Sequence, residues 1–273
     1  MYVSTFVVGF LWLGGVYNVL VNLLVVRMGF GPAFVGLVNG SIAIAFSLGS
    51  LCAPALRLRF PTLLLIRVGT IGFSVGFTVF PLAIYFPTDW HASWLVACYF
   101  FAGFMVGLFW VFVNPILMGS TSDQERNRAF SYQMAIFPFG GFVGSWFAGI
   151  GSDLFSKGLA LSLDAPEPYV YTLLVSCSVC IVAIIAAFKI SFVDSSNTVK
   201  EEPIEEPSQG DNSFPLKILL LVATVVGLRV AAEFGARNFV NLFLDTQFSV
   251  TPSRIAYIYA FAQLLAIPAP LLA

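Results

Sequence analysis

Within the stretch GLRVAAEFGARNFVNLFL (Gly227–Leu244), Arg229, Glu233 and Arg237 stand at i, i+4 and i+8. On an α-helix four residues advance about 400° and about 6 Å, so the three side chains form one stripe, which Asn241 extends by another turn. A carboxylate between two guanidinium groups can bind the charged end of a small solute, or take up and release a proton. Burial and a neighbouring arginine pull the proton affinity of Glu233 in opposite directions. The stretch sits inside a long apolar run that begins at Phe214. Counted from there, Arg229 lies about 22 Å along the helix, Glu233 about 28 Å and Arg237 about 35 Å, against a hydrocarbon thickness of about 30 Å. Each charge at such depth costs at least about 2.5–3.5 kcal/mol if it faces lipid, so the stripe is expected to face the protein interior or a water-filled passage. A structural reading stands beside the functional one. Arg229 and Glu233 could lock this helix to a neighbour, with Arg237 reaching the interface.

Further polar residues fall inside apolar runs. Asn18 and Asn22 lie four apart, and Asn39, Asn114, Tyr132 and Gln133 follow. Each could face a cavity, or make an inter-helix hydrogen bond worth about 0.6 kcal/mol. Arg67 is expected to snorkel to the membrane surface. The cysteines are Cys52, Cys98, Cys177 and Cys180, and the last two form a CxxC within LLVSCSVCIVAIIAAF. With no second CxxC and His91 the only histidine, this pair reads as small packing residues rather than a metal or redox site. The chain has no HExxH, no serine–histidine constellation and no GxxxxGK[ST]. The expectation is therefore no catalytic residue, no metal, no cofactor and no enzyme activity.

The elements that position these residues follow from composition. Of 273 residues 59% are hydrophobic and 10% charged, where a soluble domain carries about 25% charged residues. A net charge of −1 without a basic stretch argues against nucleic acid as a partner. Eight runs approach the roughly 20 residues a membrane helix needs: 6–26, 33–56, 62–86, 94–118, 130–150, 169–188, 214–244 and 253 to the end. No cleavable signal peptide is apparent. The connections after runs 2, 4 and 6 carry Arg57, Arg59, Arg126, Arg128, Lys189, Lys200 and Lys217, against Arg27, Lys157 and Arg254 on the other side. The positive-inside rule puts the first set, and the N-terminus, in the cytoplasm. Trp90, Trp94 and Tyr85 mark the opposite interface. Gly140, Gly144 and Gly149 give the fifth run a small-residue face for close helix packing. The acidic, proline-bearing SSNTVKEEPIEEPSQGDNS reads as a flexible linker. It divides residues 1–194, a six-helix bundle, from residues 214–273, two helices of a second bundle, with the linker itself at 195–213.

The chain also repeats. Aligning Asn22 with Asn241 gives an offset of 219 residues, and Phe30 with Phe248 and Pro32 with Pro252 match nearby at offsets of 218 and 220, a net insertion of one residue by the proline. A repeat of this length points to duplicated halves. Two such halves joined by a polar cytoplasmic loop resemble the major facilitator superfamily. GFGPAFVGLVNGSIAIAFSLGSL, ERNRAFSYQ (Glu125–Gln133) and EFGARNFVNLFLDTQFSVTPSRIAYIYAFAQLL are similar to its first loop and second helix, its 4–5 loop and its helix 7–8 segment. The resemblance implies an all-α membrane bundle. It also implies a secondary transporter that moves a small organic solute by alternating access, working as a monomer among membrane lipid, with protons as a candidate coupling ion.

Two departures matter. The superfamily's 2–3 loop pattern G-x-L-x-D-R-x-G-R-R keeps Gly49 and Leu51 here. Ala53 and Pro54 replace the aspartate and arginine, and Arg57 and Arg59 retain only basic character. The second departure is length. Adding another half to a start near residue 216 predicts roughly 400 residues and twelve spans, so eight spans suggest a truncated chain. The alternatives are a non-transporting sensor or assembly protein on the same fold, or a non-functional fragment.

Overall fold

The computed structural model describes residues 1–190 and 216–272, and every regular element among them is helical. Several side chains between Leu216 and Asn238, and all of the linker at 195–213, lie outside the described residues. In order the helices are α1 (Tyr2–Leu11), α2 (Val16–Arg27), α3 (Pro32–Arg57), α4 (Thr62–Val79), α5 (Thr88–Gly119), α6 (Asp123–Gly158), α7 (Glu167–Ser176), α8 (Val179–Lys189), α9 (Leu216–Phe248), α10 (Pro252–Ala266) and α11 (Ala269–Leu272). A short 3-10 helix, Phe80–Tyr85, prolongs α4. Lipid offers backbone groups no partners, which is why the apolar runs become helices.

Seven segments are long and apolar enough to cross a membrane: Tyr2–Arg27, Pro32–Arg57, Thr62–Tyr85, Thr88–Gly119, Gln124–Gly158, Glu167–Lys189 and Pro252–Leu271. The remaining expected span is α9, 33 residues of continuous helix. The helices overrun the apolar stretches in several places. The fifth span runs from Gln124 to Gly158 instead of 130–150. Its polar ends ERNR and SDLFSKG continue the helix beyond the apolar run, where hydropathy alone gives no signal. In the same way Trp90 and Trp94 lie in the first turns of α5.

Span 1 (α1 and α2) is the central helix, with residues from Val7 to Val25 almost all buried. It breaks at Trp12–Gly15, where Gly14 adopts φ +79, a conformation that a side chain would strain. Ser145 of α6 donates to the freed Gly14 carbonyl, and the Gly15 amide donates to Trp12 O at 3.0 Å. Just past the break Tyr17 is fully buried among Phe77, Phe80 and Tyr99, with ring centroids 4.6, 5.9 and 6.4 Å away. Its hydroxyl donates to Phe77 O.

Around this axis α5 packs against α3 and α4, and α6 packs against α1 and α10. A side chain at Gly140 or Gly144 would collide with the backbone of Phe6 or Phe10, and one at Gly149 would press on Ala256. The small-residue stripe of α6 therefore packs two helices, α1 and α10. Span 6 breaks at Cys177–Ser178. Cys177, at that break, and Cys180, in the first turn of α8, are buried free thiols that line the same cleft, as small packing residues would. Among the described residues no cluster of metal-ligating side chains occurs.

Candidate functional site

Arg229, Glu233 and Arg237 lie on α9, twelve, eight and four residues before Asn241. Their side chains lie outside the described residues. Asn241 is described and fully buried. It meets the residue to which the sequence repeat aligns it: Asn22 Nδ2 donates to Asn241 Oδ1 at 3.0 Å. Asn241 Nδ2 in turn donates to Asn18 O and Val19 O at 3.1 and 3.2 Å. Asn39 of α3 donates to Asn22 Oδ1 at 2.7 Å. Equivalent positions on α2 and α9 thus face each other, as expected where two pseudo-symmetric halves meet on their axis. Asn18, Asn22 and Asn241 are brought together. The Asn22 and Asn241 amides bond each other and the α2 backbone, so they pin α9 to α2.

One turn further toward the same end, Arg27 of α2 faces Asp245 of α9 in a two-pronged contact. Nη1 lies 3.0 Å from Oδ2 and Nη2 2.9 Å from Oδ1. Paired, planar donors on a carboxylate are among the stronger ionic contacts. The side chains are 17% and 7% exposed, so the pair is shielded from water. Sequence reasoning treats Arg27 only as a loop charge. The usable signal is the repeat, because Asp245 lies four residues after Asn241 as Arg27 lies five after Asn22.

A second junction forms where α10 lies on α6. Gln263, largely buried, sits against Gly14 at the break in span 1 and against Gly141 of α6. Its signal in the sequence is a lone glutamine in YAFAQLLA, which the reading from sequence passes over. Ser145, Gly14 and Gln263 together place polar groups beside an interrupted helix, the arrangement by which transporters line a midplane site.

The other candidates lie elsewhere. Gln133 is buried on α6 and donates to Asn114 Oδ1 at 3.4 Å, and its buried Oε1 has no hydrogen-bond partner among the described residues. Tyr132 is exposed and accepts from Arg128 Nε at 3.1 Å. Arg67 does more than reach an interface. Its guanidinium lies 3.5 Å from the carbonyls of Ala187, Phe188 and Ile190 and 5.2 Å from the Phe188 ring. It so covers the open C-terminal end of α8, where a cation is favoured. In the 2–3 motif Gly49 packs on the Phe104 carbonyl of α5. Leu51 and Arg59 are exposed and Arg57 is half-buried. The α3 helix runs through Arg57, so most of this motif is helical and the loop proper begins at Leu58.

A helical bundle of membrane-crossing length, with a broken central helix and a polar seam between α2 and α9, is the architecture of a multi-pass membrane transporter. A model of the Major Facilitator Superfamily matches residues 1–273, and the chain belongs to that superfamily. A comparison with curated proteins returned no match.

Proposed function

We propose that this protein is a secondary active transporter that moves a small organic solute by alternating access. The observation that carries the reading is the seam between α2 and α9. Asn22–Asn241 and Arg27–Asp245 close one end of the molecule. The described α9 residues from Leu221 to Val240 are exposed or half-exposed. The seam supports halves that meet at the Arg27 end. With residues 1–194 as one bundle, 195–213 as the cytoplasmic linker and 214–273 within the second bundle, the positive-inside rule makes the closed end the outer one. The N-terminus is then cytoplasmic in the plasma membrane, and the conformation is open inward.

The solute would meet the α9 stripe. Turning back from Asn241, which faces α2, Arg237 is rotated by about 40° and Glu233 by about 80° on an ideal helix. Both positions lie to one side of the direction in which α9 faces α2. α2 carries no charge opposite them, so the site is asymmetric and suits a solute with one charged end. Glu233 is the proposed proton carrier, the solute and protons are the proposed partners, and the chain acts as a monomer in lipid. The test is uptake by proteoliposomes of a panel of radiolabelled small organic cations, anions and zwitterions under an imposed pH gradient. Glu233→Gln should abolish gradient-driven uptake while leaving solute exchange at equal pH intact. Unchanged gradient-driven uptake would end the proton assignment.

The altered 2–3 motif favours a second reading, a non-transporting sensor on the same fold. Ala53, where that motif has its aspartate, is buried and apolar. Cysteine labelling that never changes with ligand would support that reading.

A further inference from the structure

Arg27 touches more than its partner on α9. Its Nε donates to Leu163 O at 3.2 Å, in the α6–α7 loop. Its Nη2 lies 3.8 Å from Asp164 in the same loop. Leu163 O is fixed in turn by the Tyr169 hydroxyl at 2.7 Å. Arg27 is therefore held by its own bundle through one nitrogen, while its two terminal nitrogens reach across to Asp245.

The three carboxylate and guanidinium groups differ in surroundings. Asp245 is 7% exposed and Asp164 is 90% exposed. An open cleft of about 420 Å³ lined by Arg27, Asp164, Asp245, Ser249 and Thr251 reaches the contact. When the halves part, Asp245 leaves with α9. Arg27 and Asp164 both belong to the first bundle and stay. A guanidinium left at a largely buried position without a counter-ion would resist that step strongly.

We propose that Asp164 is a positioning residue for gate opening, which takes over Arg27 from Asp245 as the two bundles separate. The hand-over keeps Arg27 neutralised in both states. Because Asp164 waits in water, it adds little to the closed state, where Asp245 already fills both prongs. Its contribution falls on the open state. The inference rests on the alternating-access reading and adds a named exchange of partners to it.

The experiment uses the full chain in proteoliposomes, with native cysteines replaced and Leu242→Cys as reporter beneath the gate. Leu242 is 4% exposed in the closed state. The readout is its rate of reaction with a membrane-impermeant maleimide from the Arg27 side. Asp245→Asn should raise the rate by at least about tenfold, since it removes the buried partner. Asp164→Asn should lower it about two- to fivefold, as expected from an exposed ion pair that acts only in the open state. Asp164→Glu should restore it. The opposite signs carry the test. If Asp164 merely reinforced the closed latch, Asp164→Asn would raise the rate, and a raised or unchanged rate overturns the hand-over. Asp164 is exposed, so its substitution leaves folding intact and the test of the hand-over stands without Asp245→Asn. A rate unmoved by either substitution would instead overturn alternating access at this gate, and both proposals with it.

Discussion

At the scale of single residues, the seam consists of few atoms with many obligations. Asn22 accepts from Asn39 and donates to Asn241, and Asn241 donates onward to the α2 backbone. Among the described residues, replacing Asn22 with Leu leaves Asn241 Oδ1 with the Leu242 amide, 2.8 Å away, and deprives Asn39 of one acceptor. Hydrogen bonds between membrane helices are worth about 0.6 kcal/mol, with a maximum near about 1.7. Asn22→Leu should therefore destabilise the closed state by about 1 kcal/mol and not unfold the protein. Thermal unfolding in detergent should shift by only a few degrees, and Leu242→Cys should label faster from the Arg27 side. A loss of folded protein would mean that the seam holds the fold as well as the gate.

At the scale of elements, the sequence is most legible where apolar length alone decides. Every expected span is helical, with spans 1 and 6 each interrupted once. The break in span 1 is not legible, because GGVY in a membrane helix is compatible with continuity, and only the Ser145 contact and the pressure of Gln263 show where the chain unwinds. The α6 glycines are readable as a packing face, but not as one serving α1 and α10 at once. The contrast between glycines gives a prediction. Gly144→Leu would drive a side chain into the Phe10 carbonyl, whereas among the described residues nothing lies within 4 Å of a Cβ added at Gly40. Gly144→Leu should therefore lose about 3 kcal/mol or more, through overpacking that backbone cannot relieve. Gly40→Ala should be neutral or gain up to about 1 kcal/mol from helix propensity. Parallel thermal melts of the two variants check this, and equal effects would mean that α1 and α6 are not in tight contact.

At the scale of the whole molecule, the candidate site is half visible from sequence. Asn22 and Asn241 follow from type and spacing in one repeat, while the side chains of the α9 charges lie outside the described residues. The Arg27–Asp164–Asp245 contact joins Arg27 to residues 137 and 218 positions further along the chain, and no local pattern encodes such a meeting. Charge sidedness does constrain which ends can meet. Arg27, Asp164 and Asp245 all fall at one end of alternating spans, and Arg67 with the end of α8 falls at the other. Orientation in the membrane turns this into a measurable claim. Leu58 is 89% exposed at the basic end and Trp90 63% exposed at the opposite end. In cells expressing a cysteine-free background, Trp90→Cys should react with an impermeant maleimide from outside. Leu58→Cys should react only after the membrane is permeabilised, if the excess of Lys and Arg at its end follows the positive-inside rule. The reverse pattern would place the Arg27 gate on the cytoplasmic side. The same contacts would then close the inner end, and the conformation would be open outward.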